Sequence, residues 1–408
     1  MLRIIPHPDS SEPARMFLMR RIVVCVCLVM AASPLHAQKV KLLVPLDSLI
    51  ARVQRDSNDA PAHYEVALGY WLAKKYDLAE AHLREAIAIE PKTATAYLAL
   101  SYLPFARNYG LWGDVEKGKV SAEWLPKVEE ADHLRRQAFL LDPLVDLRPL
   151  ALMIPPTGTF GLSRRESALY TYIMNGLGSF WTGDYSKSYQ FFSSIAEGAT
   201  EEDRKKFADW FLWYEGLSAT HTFQYSRGVA DFRLLLDRAI ARENPDSNAI
   251  VPFESANEFR YALAVILDKA GQQAEAIKLL QESVTSDLGL YMAHVRLAEI
   301  YEEQHRTKSA LQERRRALEA SPDDPGLLYD LGEALYRAGE LSDAYGFLEK
   351  AVKANPRSVR ALYMFGSVAQ KLEQTEEAKA AYTKFIAIAP SRFQEQIVEA
   401  GHRLETMK

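Results

Sequence analysis

Between residues 291 and 390, apolar and small residues return at a fixed interval of 34. Ala310, Ala344 and Ala378 hold one phase, and Leu297, Leu331 and Phe365 a second. Ala298, Gly332 and Gly366 hold a third, and Pro322, Pro356 and Pro390 a fourth. Each period reads as two helices. In Leu331-Gly332-Glu333-Ala334-Leu335 the apolar side chains fall on one side, and Gly332 leaves room for a neighbouring backbone. Gly339-Glu340 breaks this helix, and Ser342-Asp343 is expected to cap the next. The second helix carries Ala344, Leu348 and Ala351 as a single stripe, and Pro356 stops it. One such hairpin cannot bury both of its faces, so it must stack on neighbours.

The rest of the chain follows the pattern unevenly. Residues 45–56 predict a short amphipathic helix with Leu46, Leu49, Ile50 and Val53 on one side. Ala67, Tyr70, Ala79, Ala86 and Pro91 in residues 60–93 repeat the spacing of 298–322. A second unit begins at Tyr97 and Leu100, but Ala131, Ala138 and Pro143 resume the pattern 18 residues late. An insertion from Pro104 to about Pro126 is therefore expected, and Gly110, Gly113 and Gly118 predict a loop there. Its rings, Phe105, Tyr109, Trp112 and Trp124, serve either as a contact surface or fold back on nearby helices. Residues 144–168, with Pro155-Pro156-Thr157-Gly158, predict another loop. Degenerate units follow at Gly176, Gly183-Asp184-Tyr185, Ser188 and Phe192, then at Gly216, Tyr225, Gly228 and Phe232. After a loop at 243–251, Leu263, Ala264, Gly271, Ala276 and Leu280 restore the pattern. A final amphipathic helix, Arg392 to Met407, would seal the last unit.

The interval and its small residues resemble the tetratricopeptide repeat family. The resemblance implies an all-α, right-handed α-solenoid of about eight helix-turn-helix repeats, with an irregular middle section and a C-terminal capping helix. The expected organisation is an N-terminal extension and signal peptide (1–37), an N-terminal capping helix (38–59) and units one and two (60–143) with the insertion at 104–126. Degenerate units and loops (144–250), units five to eight (251–390) and a capping helix (391–408) complete it. In this family the first helices of successive units line a concave groove that often holds a peptide. By phase, that groove would display Tyr64, Leu68, Trp71, Tyr102 and Phe105, then Tyr170, Trp181, Trp210 and Trp213. Its C-terminal half would display Tyr261, Glu299, Glu302, Glu303, Tyr329, Glu333, Tyr336, Arg337, Tyr363 and Lys371. Rings give large contact area with polar tips at low entropic cost, which suits peptides or sugars. Some relatives clamp acidic chaperone tails with lysines and asparagines. Tyr64, Leu68, Leu98 and Tyr102 stand at the matching positions, so that activity is not implied.

Composition narrows the function classes. The hydrophobic fraction of 48% suffices for a packed core. Met16 to Gln38 reads as a secretion signal: Arg20-Arg21, the apolar run Ile22 to Ala32, then Leu35-His36-Ala37, with cleavage expected after Ala37. No later apolar run is long enough for a membrane span. Both cysteines, Cys25 and Cys27, fall inside that run, which would leave the processed chain without disulfide or thiolate chemistry. The processed chain would carry 45 basic and 52 acidic residues. That balance argues against nucleic acid as a partner.

No His-Glu-x-x-His motif, phosphate loop or Gly-x-Ser-x-Gly turn is present. The histidines at 63, 82, 133, 221, 294, 305 and 402 lack metal spacing, so neither a metal nor a cofactor is expected. Two readings remain. One is a non-catalytic scaffold, periplasmic or secreted, that binds a protein or peptide. The other is a carbohydrate- or envelope-associated accessory protein using its rings as stacking platforms. An enzyme hidden in the irregular middle ranks behind both.

Overall fold

The computed structural model describes residues 44–108, 110–116, 118–145, 164–181, 183–242, 255–287 and 289–407. Every regular element among them is helical. In chain order these are α1 (Leu46–Arg55), α2 (Ala60–Leu72), α3 (Tyr76–Ile89), α4 (Ala94–Arg107), α5 (Leu111–Glu116), α6 (Leu125–Leu141), α7 (Arg164–Trp181), α8 (Tyr185–Ile195), α9 (Glu201–Arg204) and α10 (Asp209–His221). Then come α11 (Tyr225–Arg242), α12 (Ala256–Lys269), α13 (Gln273–Ser286), α14 (Tyr291–Glu303), α15 (Thr307–Ala320), α16 (Pro325–Ala338), α17 (Leu341–Ala354), α18 (Val359–Lys371), α19 (Thr375–Ile388) and α20 (Gln394–Thr406). Helices pack in consecutive hairpins: α2/α3, α4/α6, α7/α8, α10/α11, α12/α13, α14/α15, α16/α17 and α18/α19. We number them units 1 to 8. The fold is an all-α helical repeat, with α1 against unit 1 and α20 against unit 8.

One packing rule joins the regular and the degenerate units. A Cβ placed on Gly332 would meet Leu348 at 2.7 Å, and one on Gly366 would meet Tyr382 at 3.0 Å. Gly216 faces Phe232 at 3.0 Å and Gly176 faces Phe192 at 3.1 Å in the same way. Each glycine lets a large side chain 16 positions later sit against its helix, so units 3 and 4 keep the hairpin contact although their sequence drifts. The turn inside each hairpin is equally regular. Gly271, His305, Gly339 and Glu373, spaced by 34, all have φ between 57° and 82°.

Local expectations shift in two places. The cap of α17 is Glu340, with Ser342 and Asp343 already inside the helix. Gly339 turns the chain so tightly that the next residue starts the new helix. The expected loop at 104–126 is partly helical: α4 runs through Pro104 to Arg107, α5 follows at Leu111–Glu116, and α6 begins at Leu125 after a turn. Leu111 and Phe105 are buried, and Trp124 packs on the same core, so burial overrides the glycines. The expected signal segment lies outside the described residues. Among the described residues no helix is long and apolar enough to cross a membrane.

The chain curls until its inter-unit turns meet. Residues 56–59 and 89–92 of unit 1 lie against residues 325–330, 355–357 and 391–392 of units 7 and 8. The end of α6 reaches units 4 to 6. These two seams decide which part of the concave face is open.

Candidate binding face

The expected groove residues divide into two groups. Trp71 is 3% exposed and packs edge-on to Tyr76 at 6.0 Å. Tyr64 and Tyr102 are half-buried against the core of units 1 and 2. Tyr170 and Trp181 belong to α7, but their side chains lie outside what is described. Trp210 is half-buried, and its covered indole N–H has no hydrogen-bond partner among the described residues. Trp213 stacks on Phe139 at 6.4 Å and packs on Phe232 and Phe259. Tyr261 is fully buried.

Phe139 belongs to α6, so the seam places unit 2 in the concavity of units 4 to 6. The last turn of α6 has carbonyls that no residue of its own helix can reach. Two side chains donate to carbonyls there, and a third to the carbonyl of Leu144 just beyond. Tyr261 Oη donates to the Leu140 carbonyl at 2.8 Å, and Arg296 Nη2 to that of Leu141 at 3.1 Å. His221 Nε2 lies 3.0 Å from the Leu144 carbonyl, which fixes it as the donor. Phe139, Leu140 and Leu144 join one apolar cluster with Leu212, Phe259 and Met292. Burial holds the Tyr261 hydroxyl above its usual range, so it remains a donor. Trp213 and Tyr261 are therefore committed to the chain's own unit 2. Arg296 and His221 escaped the sequence reading because a single polar residue at a groove phase carries no mark of its partner.

Units 6 to 8 are different. Tyr329, Tyr336 and Tyr363 are half-buried, each with one side toward solvent. Burial, with Glu333 nearby, pushes the Tyr329 hydroxyl up to about 12. Lys371 Nζ sits 4.7 Å above the Tyr336 ring. Tyr363 donates to Glu399, and burial and that contact raise it further still. The acids at this end are largely matched. Glu302 accepts from Arg314 at 2.6 and 3.0 Å and has Arg337 Nη1 at 3.7 Å. Glu299 accepts from Arg296, and Glu303 from Gln273. The face is thus a row of tyrosines among paired charges.

No group of three His, Cys, Asp or Glu residues among the described residues is arranged to hold a metal ion. His63 and His82 pair at 3.0 Å where unit 6 has His294 and Glu313 at 2.7 Å. These are the same two positions of the hairpin, and both pairs tie its helices together.

Comparison with known proteins gives local matches. The family described as anaphase-promoting complex, cyclosome, subunit 3 matches residues 303–385. Protein O-mannosyl-transferase TMTC1 of Homo sapiens is 29% identical over 140 residues, which is 33% of this chain and 16% of that protein. Its Mus musculus counterpart is 27% identical over the same length. The chain therefore spans under a fifth of those relatives. Among solved structures, the C-terminal part of a TPR repeat-containing protein from Cytophaga hutchinsonii aligns with a TM-score of 0.45 and 18% identity, covering 58% of this chain and 88% of that one. The weight rests on the chain itself: stacked hairpins at an interval of 34, a small residue against the second helix and a left-handed turn between, an all-α repeat architecture similar to that of tetratricopeptide-repeat proteins.

Proposed function

We propose that the chain is a non-catalytic scaffold, exported to the cell envelope, that holds a protein or peptide segment on its concave face. One observation carries the reading: units 4 to 6 already grip polypeptide there, through the carbonyls of Leu140, Leu141 and Leu144. The same face in units 7 and 8 offers Tyr329, Tyr336 and Tyr363 with Arg337 and Lys371 beside them. Half-buried tyrosines are ordered before a partner arrives, which lowers the entropic cost of association. The signal-like segment 16–38 supports export. The alternative of sugar stacking needs open ring faces, and Trp71, Trp213 and Tyr261 are packed against the chain's own residues. The transferase named among the relatives shares too little length for its activity to be carried over.

The test is a Tyr336→Ala, Lys371→Ala double variant, offered an envelope extract beside the wild-type chain. A protein retained by the wild type should be lost by the variant, with unchanged far-UV circular dichroism. Equal retention by the folded variant would move the site elsewhere, and turnover of a glycan donor by the purified chain would end the non-catalytic reading.

A further inference from the structure

The seam between unit 1 and units 7 and 8 has a sidedness that the repeat pattern does not require. Unit 1 brings Asp56, Asp59 and Glu85; the C-terminal units bring Arg357, Arg392 and Ser391. Arg357 Nη1 donates to Glu85 at 2.6 Å, and its Nε donates to Asn58 Oδ1 at 3.0 Å. Asn58 Nδ2 returns a bond to the Arg357 carbonyl at 3.0 Å. Ser391 Oγ donates to Asp56 at 2.7 Å, and Arg392 pairs with Asp59. Lys92 and Asp330 form one pair of the opposite sense.

Three features mark this seam as separable. The side chains of Glu85, Arg357 and Arg392 keep 38%, 40% and 35% of their surface in solvent, although Asp59, which Arg52 also holds at 2.8 Å, keeps only 3%. Among the described residues no apolar cluster joins unit 1 to units 7 and 8: unit 1 shares one with unit 2, and units 7 and 8 belong to others, of which one reaches unit 2 through Leu327. Between the two sides is a cavity of about 90 Å³, lined by Pro91, Tyr329, Arg357, Arg360 and Phe393 among others. Exposed ion pairs lose strength as salt shortens the screening length, from about 8 Å at 0.15 M to about 3 Å at 1 M. The apolar seam at units 4 to 6 keeps its strength under the same change.

We propose that unit 1 is a reversible polar latch, and that the surface it covers on units 7 and 8 is a docking site for an acidic polypeptide segment. The chain's own Asp56, Asp59 and Glu85 occupy in cis the positions that such a segment's carboxylates would take in trans. Arg357, Arg360 and Arg392 supply the charge, and Tyr329 and Phe393 the apolar floor. The site is on the unit edge, beside the concave face, and rests on the scaffold reading only for the kind of partner.

The experiment uses the full chain with Cys25 and Cys27 replaced by alanine, and with Ala81→Cys and Thr383→Cys carrying spin labels at exposed positions on either side. In 1 M NaCl the label separation should lengthen while helicity holds. At low salt a deca-glutamate peptide should produce the same lengthening, and its affinity should fall about tenfold or more on raising NaCl to 0.3 M. Glu85→Arg should open the seam, and Glu85→Arg with Arg357→Glu should close it again. A separation indifferent to salt and to Glu85→Arg would overturn the latch. A latch that opens with salt yet takes no deca-glutamate, or takes deca-lysine equally well, would overturn the docking site. Tighter binding of a dT12 oligonucleotide than of deca-glutamate would overturn the polypeptide assignment. Each of these results is independent of the Tyr336→Ala, Lys371→Ala capture, so the two readings fail separately.

Discussion

The two seams of this solenoid each join an N-terminal unit to later ones, unit 2 to units 4 to 6 and unit 1 to units 7 and 8, yet they are made of different material. At units 4 to 6 the contact is apolar: Phe139, Leu140 and Leu144 enter one cluster with residues of α10, α12 and α14. Three of its polar side chains take backbone carbonyls, and at its rim Arg136 of α6 pairs with Asp287 at 3.2 Å. At units 7 and 8 the contact is polar: Arg357 and Glu85 stand partly in water, while Asp59, Asn58 and Asn355 are buried. Apolar burial is indifferent to salt, while exposed pairs are worth about 0.2–1 kcal/mol and are screened. The difference teaches where a closed repeat can open: one end is a hinge, the other a clasp.

The largest effects should come from breaking the hinge. Phe139→Ala removes a ring packed against Trp213 and Tyr261 and should cost about 3–5 kcal/mol, read from urea denaturation. Tyr261→Phe keeps the ring but leaves the buried Leu140 carbonyl short of a donor, at about 1–3 kcal/mol. If either variant matched wild type, the apolar seam would be no stronger than the polar one and the contrast would collapse.

Polarity alone does not make a contact weak, and unit 4 supplies the control. Glu215 stands where unit 7 has Leu331, inside the core. One nitrogen of Arg204, from α9, bonds Glu215 and Asp231 at 2.6 Å each. Burial, with Glu215 beside it, raises Asp231 to about 7. Arg204→Met strands two buried carboxylates and should cost about 3–5 kcal/mol. The pH dependence has a definite sign. Between its unfolded value of 3.8 and about 7, Asp231 in the folded chain holds a proton that the unfolded chain has released. Its contribution to stability is therefore largest below pH 4, declines as pH rises to about 7 and is level above. Asp231→Asn should flatten that part of the stability profile between pH 4 and 7. An unchanged slope would assign the titration to another group.

The hairpins were legible because their signal is local. Gly332 against Leu348 and Gly366 against Tyr382 follow from phase, and even the drifting units keep Gly176 and Gly216. The groove was legible only by direction. Phase tells on which side of α12 Tyr261 falls, but it cannot tell that the Leu140 carbonyl of unit 2 meets it there. Trp71 is hidden for a related reason: it packs on Tyr76 within its own hairpin. The clasp pairs residues about 300 apart, Asn58 with Arg357 among them, and no period links such positions. The buried Glu215 is an acid in the phase that Leu263, Leu297, Leu331 and Phe365 hold in the regular units.

The smallest expected effect is the most discriminating. Glu85→Gln removes one side of an exposed pair and should change global stability by less than about 1 kcal/mol. Arg357 keeps its bonds to Asn58, so the loss is partial. In 0.05 M NaCl the variant and wild type should differ measurably in amide exchange at residues 89–92 and 355–358. In 1 M NaCl the difference should vanish, because screening has already removed what the substitution removes. At Leu140 and Leu141 exchange should be the same in both proteins and at both salt concentrations. A salt-dependent change at both seams would mean that they open together, as one cooperative interface rather than a hinge and a clasp.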